Sequence, residues 1–272
     1  MTSPDPITAD PMTDGSMTDG PMTPDQLEAE LRHIGATSYH HLHPFHKRLH
    51  SGGCSIDEVR AWALNRYCYQ RIIPHKDAII VSRLESTELR RIWRQRIIDH
   101  DGEIGDAPEG GLRRWLALTD GLGLSRDYVT SMEGALPAVR FACDAYLGYV
   151  AKGNELQMIA SSLTEMFSPM IIGQRVSGML AHYDFITQDI LRYFNNRLTE
   201  APRDADFALA YVKEHAVTAE TQAQAIAALK FKMGMLWAQL DAIEHVYVSG
   251  NPMPGAWQPG TGLRADWTDK VA

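Results

Sequence analysis

The sequence predicts an all-α protein, a single-domain bundle of seven or more helices. Three observations carry that prediction. Apolar residues recur at three- and four-residue spacing along most of the chain, and helix-start signals stand before these stripes at Thr23, Ser55 and Asn154. No convincing run alternates in the manner of a strand between hairpin turns. No solenoid period recurs either. A chain of 272 residues with 44% hydrophobic residues has ample material for one core.

Residues 1–23 repeat Met-Thr-Asp-Gly and are rich in Pro, Gly and Asp, which predicts a disordered acidic tail. Thr23-Pro24-Asp25-Gln26 is a capping box with Pro at the first helical position, so order starts there. Ser55-Ile56-Asp57-Glu58 opens a second helix, which Pro74 is expected to interrupt before a continuation to about Leu84. Further helices are expected over about 86–99, from the loop 102–111 to Gly121 or Gly123, after Ser125, and over 137–152. The rest are expected from Asn154 through Phe167, over 170–180, 185–198 and 204–216, and from Thr218 to Tyr247. The helical domain is placed at 24–258. Residues 259–272 are expected to form an irregular tail, since three prolines and four glycines fall after residue 249.

The net charge is −8, but residues 1–25 hold five Asp and no Lys, Arg or Glu, which leaves −3 for the remainder. No basic block points to nucleic acid. Cys54, Cys68 and Cys143 form no C-x-x-C motif and leave one thiol over in any pairing, which fits a reducing cytoplasm. The N-terminus lacks the pattern of a secretory signal, and no uncharged apolar run approaches the roughly 18 residues of a membrane span.

Three helical stripes carry a residue that does not belong in a core. Arg66 lies among Val59, Trp62, Tyr69 and Ile73, His100 among Leu89, Trp93 and Ile97, and Lys232 among Ala225, Leu229, Leu236 and Ile243. Burying such a group unpaired costs several kcal/mol or shifts its pKa. Ion pairing or a snorkelling stem is one explanation. A shared polar cavity for an anionic ligand is the other, favoured because the same faces hold few carboxylates. Glu165 is the only ionisable residue of 156–167, with Thr164 beside it. It reads either as a structural partner for an interior Arg or as a site group. Arg96 and His100, Arg66 and Gln70, and Tyr193 and Arg197 each stand four apart and share helix faces, and Tyr146 lies between Val139, Ala142, Cys143 and Val150. The run Tyr39-His40-His41-Leu42-His43-Pro44-Phe45-His46 suggests metal, but it has no partner set, and H-E-x-x-H and paired E-x-x-H motifs are absent. G-x-G-x-x-G, P-loop and G-x-S-x-G motifs are absent as well.

Several long strings stand in order: Tyr39-His40 before His43-Pro44-Phe45-His46, NRYCYQRIIPHKDA at 65–78, RIWRQRIIDHDG at 91–102, LPAVRFACDAYL at 136–147, SSLTEMFSP at 161–169, YFNNRL at 193–198 and FKMGMLWAQLDA at 231–242. Over about 25–258 the chain resembles the pyrroloquinoline-quinone synthases, cofactor-independent oxidases of the heme-oxygenase-like, TenA-like helical superfamily. The resemblance implies the last step of pyrroloquinoline quinone biosynthesis. A bicyclic quinone precursor with several carboxylates closes its second nitrogen ring and is oxidised by O2 with release of hydrogen peroxide, without metal or flavin. It implies that Arg66, Lys76, Arg96 and Lys232 hold carboxylates and quinone oxygens, and that Tyr39, His40, Gln70, Tyr146, Thr164 and Glu165 complete the polar lining. His100 is implied as general base, with Tyr193 and Arg197 beside it where O2 or peroxide sits. A homodimer is implied, with a peptide-carrier protein as a possible pathway partner, since some relatives are fused to such a domain and the tail after Gly260 then reads as a linker. Ile172 departs from the pattern, because many relatives carry an active-site His there. Thiaminase-like hydrolysis with Cys143 as nucleophile, a di-iron or heme protein, and a non-catalytic quinone carrier are the competing readings.

Overall fold

The computed structural model describes residues 20–105 and 108–268. The tail predicted to be disordered lies largely outside the described residues. Within them the chain is helical throughout, and the sole bridge of strand type joins Leu124 to Leu263. The helices are α1 (Pro24–Ser38), α2 (Pro44–His50), α3 (Ile56–Arg83), α4 (Thr87–Asp101), α5 (Gly111–Gly121), α6 (Arg126–Ser131), α7 (Pro137–Lys152), α8 (Glu155–Ala160), α9 (Ser168–His182), α10 (Arg192–His215), α11 (Ala219–Ile243) and α12 (Ala265–Thr268). Short 3-10 turns stand at His40–Leu42 and Leu163–Phe167, and a π turn closes α11 at Glu244–Val248.

The capping boxes at Thr23, Ser55 and Asn154 form as the sequence predicts, with reciprocal bonds to Gln26, Glu58 and Gln157. Just before the first box, the Met22 backbone exchanges two bonds with the Gln222 side chain, at 2.8 and 2.7 Å, and so ties the entry to α1 to α11.

Two expected breaks are absent. α3 runs through Pro74 and α10 runs through Pro202. A proline inside a helix costs about 3 kcal/mol, but α3 is buried on both sides of Pro74 and packs against α4, α5 and α7. Residues 185–191 lie in turns, and α10 starts only at Arg192. The helix expected over 156–167 splits into α8 and the 3-10 turn. At the split the Ser161 hydroxyl donates to the Met158 carbonyl at 2.7 Å, competing with the helical ladder. Sequence periodicity missed the His40–Leu42 turn and α2, which are too short for a stripe.

α3 is the central element, with eighteen buried residues. Its Asn65 side chain accepts from the Leu136 backbone N–H at 2.8 Å and donates to the Ala61 carbonyl at 2.9 Å, which satisfies the first turn of α7 from the neighbouring helix. On another face, Trp62 packs edge-on to Trp115 of α5 at 5.5 Å, and Trp115 to Phe194 of α10 at 5.7 Å. The chain beyond Gly250 is mostly irregular, yet it docks. Trp257 is 2% exposed. Ser125 donates to the Gly262 carbonyl and Arg264 to that of Gly123, both at 2.8 Å.

Candidate active site

A cavity with about 60 Å3 of free space, room for a few waters, lies between α3, α4, α9, α10, α11 and the two 3-10 turns. Its polar lining brings together Tyr39, His40, Arg66, Gln70, His100, Thr164, Glu165, Tyr193 and Arg197, all singled out from the sequence. Tyr69, Ser168 and Arg175 line it as well, and Ile73, Ile171, Ile172, Phe194 and Leu236 form its apolar wall. Lys76, Arg96, Tyr146 and Lys232 are not on its surface and form the layer behind it.

The cations fall into two groups. Arg96 and Arg197 are saturated with carboxylates. Arg96 meets Asp204 at 2.7 Å, Asp77 at 3.5 Å and Glu165 at 3.6 Å, while Arg197 meets Glu165 at 2.7 Å and Glu200 at 3.2 Å. Lys76 pairs with Asp77 at 2.5 Å. Burial drives the Glu165 carboxyl up, but Arg197, Arg96 and Lys76 pull it further down, to about 2. α10 is what assembles this network, since Tyr193, Arg197 and Asp204 lie on one stripe that continues past Pro202. Interior ion pairing, one of the two readings of Glu165, is therefore met in the structure.

Arg66, Arg175 and Lys232 form the second group, and among the described residues none of them pairs with a carboxylate. Arg66 lies over the Tyr69 ring at 4.2 Å. Lys232 donates to the Tyr69 hydroxyl at 2.8 Å and sits 3.5 Å from the centre of the Tyr146 ring. Arg175 lies over Phe194 at 5.2 Å and Trp62 at 5.7 Å. Burial, then Lys76 and Arg66, push the Lys232 ammonium well below its ordinary range. Burial, then Arg66, bring Arg175 down to about 10. Arg175 and Lys232 are buried and Arg66 is half-buried, and three mutually repelling basic groups faced by aromatic rings suit an anion. Sequence reasoning missed Arg175, although it stands between Ile171, Ile172 and Met179 at the same helical spacing that exposed Arg66.

His100 is 3% exposed. Its Nδ1 lies 3.1 Å from the Arg96 carbonyl, which can only accept, so Nδ1 carries the hydrogen and Nε2 the lone pair. Nε2 is buried with no partner. Burial, then Arg197, bring the imidazole down to about 4, so it is neutral at pH 7. Tyr193 donates to Gln70 Oε1 at 2.8 Å, and the edge of its ring packs on Trp115 at 5.1 Å, which fixes its phenol at the cavity wall.

The histidine run divides. His40 lines the cavity, whereas His43 caps α2 by accepting from the Phe45 N–H and reaches Asp241 of α11 through Nε2 at 3.0 Å. Among the described residues no group of three or more His, Cys, Asp or Glu is arranged to hold a metal ion. Cys143 is buried away from the cavity, and Cys68 together with burial pushes its thiol far up, the opposite of an activated nucleophile.

The fold and this site define a heme-oxygenase-like helical protein. A domain of unknown function with a heme oxygenase-like fold from Shewanella denitrificans superposes with a TM-score of 0.65 at 15% identity, covering 86% of this chain and 96% of that one. A TenA homolog from Pseudomonas syringae pv. tomato gives the same TM-score at 10% identity, covering 85% and 99%. Residues 28–242 match the TENA/THI-4/PQQC family, and the chain belongs to it. The pyrroloquinoline-quinone synthase of Acidiphilium cryptum is 61% identical over 87% of this chain and 94% of its own length, and that of Gluconobacter oxydans 58% identical over 87% and 98%. The bifunctional coenzyme PQQ synthesis protein C/D of Methylorubrum extorquens is 60% identical over 89% of this chain, which spans 65% of that longer protein.

Proposed function

We propose that this chain is a pyrroloquinoline-quinone synthase, an oxidase that completes pyrroloquinoline quinone from a bicyclic precursor bearing several carboxylates. The observation that carries the reading is the set of three carboxylate-free cations, Arg66, Arg175 and Lys232, gathered around one cavity with the unpartnered Nε2 of His100. The strong likeness to synthases over nearly their full length points the same way.

In this reading Arg66 and Arg175 anchor the ligand's carboxylates directly, and Lys232 adds positive potential from behind Tyr69. His100 Nε2 removes a proton from the bound precursor. The incoming anionic ligand raises the basicity of this imidazole, offsetting Arg197. Conjugate addition of the precursor's own amine to its quinone ring forms the new C–N bond, moves the displaced protons to the base and the ring oxygens, and leaves a quinol. Deprotonation of the quinol raises its reactivity toward O2. The quinol then loses two electrons and two protons, which O2 takes up as hydrogen peroxide. Arg197 and Tyr193 stabilise charge as it develops on the reduced oxygen. The apolar wall of Ile171, Ile172 and Phe194 keeps bulk water from this side.

The quinone and quinol carry the electrons, with no metal or flavin, and the enzyme works in the cytoplasm as a homodimer. The free space is smaller than a bicyclic ligand, so binding rearranges the lining. The test is titration with pyrroloquinoline quinone. Arg66→Ala is expected to weaken binding about ten- to hundredfold, the range of one charge-assisted hydrogen bond. Unchanged affinity would remove Arg66 from the ligand's contacts.

A further inference from the structure

His40, His46 and His50 form a row of imidazoles that leads from the cavity wall to the C-terminal end of α2. The His40 and His46 ring centres are 5.2 Å apart, edge to face, and those of His46 and His50 are 4.0 Å apart. His40 and His46 are buried, and His50 is half-buried. Nδ1 of His40, Nε2 of His46 and Nε2 of His50 are all buried without a hydrogen-bond partner. Buried polar atoms are nearly always satisfied, so three on consecutive rings require a reason. Packing alone is served better by apolar rings.

All three imidazoles are pushed below their ordinary range, first by burial and also by Arg175, with Arg66 acting on His40 before it. Each is therefore neutral at pH 7, with one N–H and one lone pair, the composition that can receive a proton on one nitrogen and release one from the other. The hydrogen-bond direction at the middle ring is set. Arg175 Nη2 donates to His46 Nδ1 at 3.4 Å, so the hydrogen of His46 is on Nε2.

We propose that His40, His46 and His50 conduct protons between the cavity and solvent during the oxidation, a proposal that rests on the oxidase reading of the same cavity. Arg175 from α9 and Arg66 from α3 face the row, with His41 and His43 on its own segment. Without ligand, the Arg175 N–H occupies the lone pair of His46, and the row is closed to protons at its middle ring. A ligand carboxylate that takes Arg175 frees that nitrogen, so the row conducts when ligand is bound. Each ring gains a proton on its lone-pair nitrogen and loses one from the other, so no net charge is stored and nothing is oxidised. The α9 wall offers no parallel route at Ile171 and Ile172, which are apolar.

The test is single-turnover oxidation of the bicyclic precursor by O2 in wild type, His46→Phe and the half-exposed His50→Gln, with pyrroloquinoline quinone titrated into each. The expected result is unchanged affinity for the quinone and a rate roughly a hundredfold lower in His46→Phe, the scale of one proton-transfer group. A smaller loss is expected in His50→Gln, and His46→Ala, which leaves room for a free ring, is expected to recover in part in added imidazole. Wild-type rates in both His46→Phe and His50→Gln would overturn the proposal. So would a loss in His46→Ala that imidazole does not restore, since that is the signature of packing. If wild type itself fails to oxidise the precursor, the oxidase reading falls and the relay falls with it. Turnover in wild type with no effect of either variant removes the relay alone.

Discussion

Arg66 and Arg96 are both arginines on apolar helix faces, and their surroundings give them opposite roles. Arg96 meets carboxylates from three different elements, whereas Arg66 meets the face of Tyr69. Replacing Arg96 with Ala takes one cation from the buried Asp204 and Asp77, which keep Arg203 and Lys76, and the expected loss is about 1.5–3 kcal/mol of folding stability. Arg66→Ala removes a repelling charge and is expected to leave the denaturation midpoint unchanged or raised. A destabilised Arg66→Ala would show that the guanidinium supports the fold. At His100, replacement with Ala is expected to retain folding and quinone binding while slowing quinone formation roughly 10²–10⁴-fold. Normal kinetics in that variant would exclude it as the base. Helical spacing located Arg66, His100 and Lys232 because a stripe shows which side chains face inward. It could not separate paired from unpaired cations, because the partners Asp204 and Glu165 come from other elements. The family resemblance groups Lys76 and Arg96 with Arg66, whereas in the structure both stand behind the cavity and pair with carboxylates.

At the scale of elements, local signals located helix starts better than helix interruptions. The capping boxes are complete within four residues, so the sequence contains them whole. The fate of Pro74 and Pro202 depends on what packs around them, and burial on several sides carries both helices through. That continuity places Asp204 beneath Arg197 on α10. The split at Ser161 has a similar origin, since the resulting 3-10 turn brings Glu165 within 2.7 Å of Arg197. Close approach of α2 and α9 depends on Gly178, where an added Cβ would stand 2.4 Å from the His50 carbonyl oxygen. Backbone cannot yield as a side-chain tip does, so Gly178→Ala is expected to cost about 1–3 kcal/mol, read as a lower denaturant midpoint. An unchanged midpoint would show that the two helices slide freely.

Across the whole molecule, the buried neutral histidines set the acid limit of stability. His100 has a folded pKa of about 4 and His50 of about 3, against an ordinary 6.5. Between those values and 6.5 the unfolded chain binds more protons, so stability falls as the pH drops below about 6.5. A fully buried ring such as His100 contributes a slope of about 1.4 kcal/mol per pH unit. Glu165 acts in the same direction over a lower window, from about 4.5 down to about 2. Denaturant midpoints measured from pH 7.5 to 5 are expected to fall steadily, and a flat profile would show that the imidazoles are already protonated in the folded state. The most direct measurement of the oxidase reading is anaerobic mixing of the chelator-treated protein with the bicyclic precursor, followed by O2 while the absorption spectrum is recorded. The expected result is a bound species that persists without O2 and converts to pyrroloquinoline quinone, with hydrogen peroxide, when O2 is admitted. Binding with no conversion, or conversion that returns only with added iron, would contradict it.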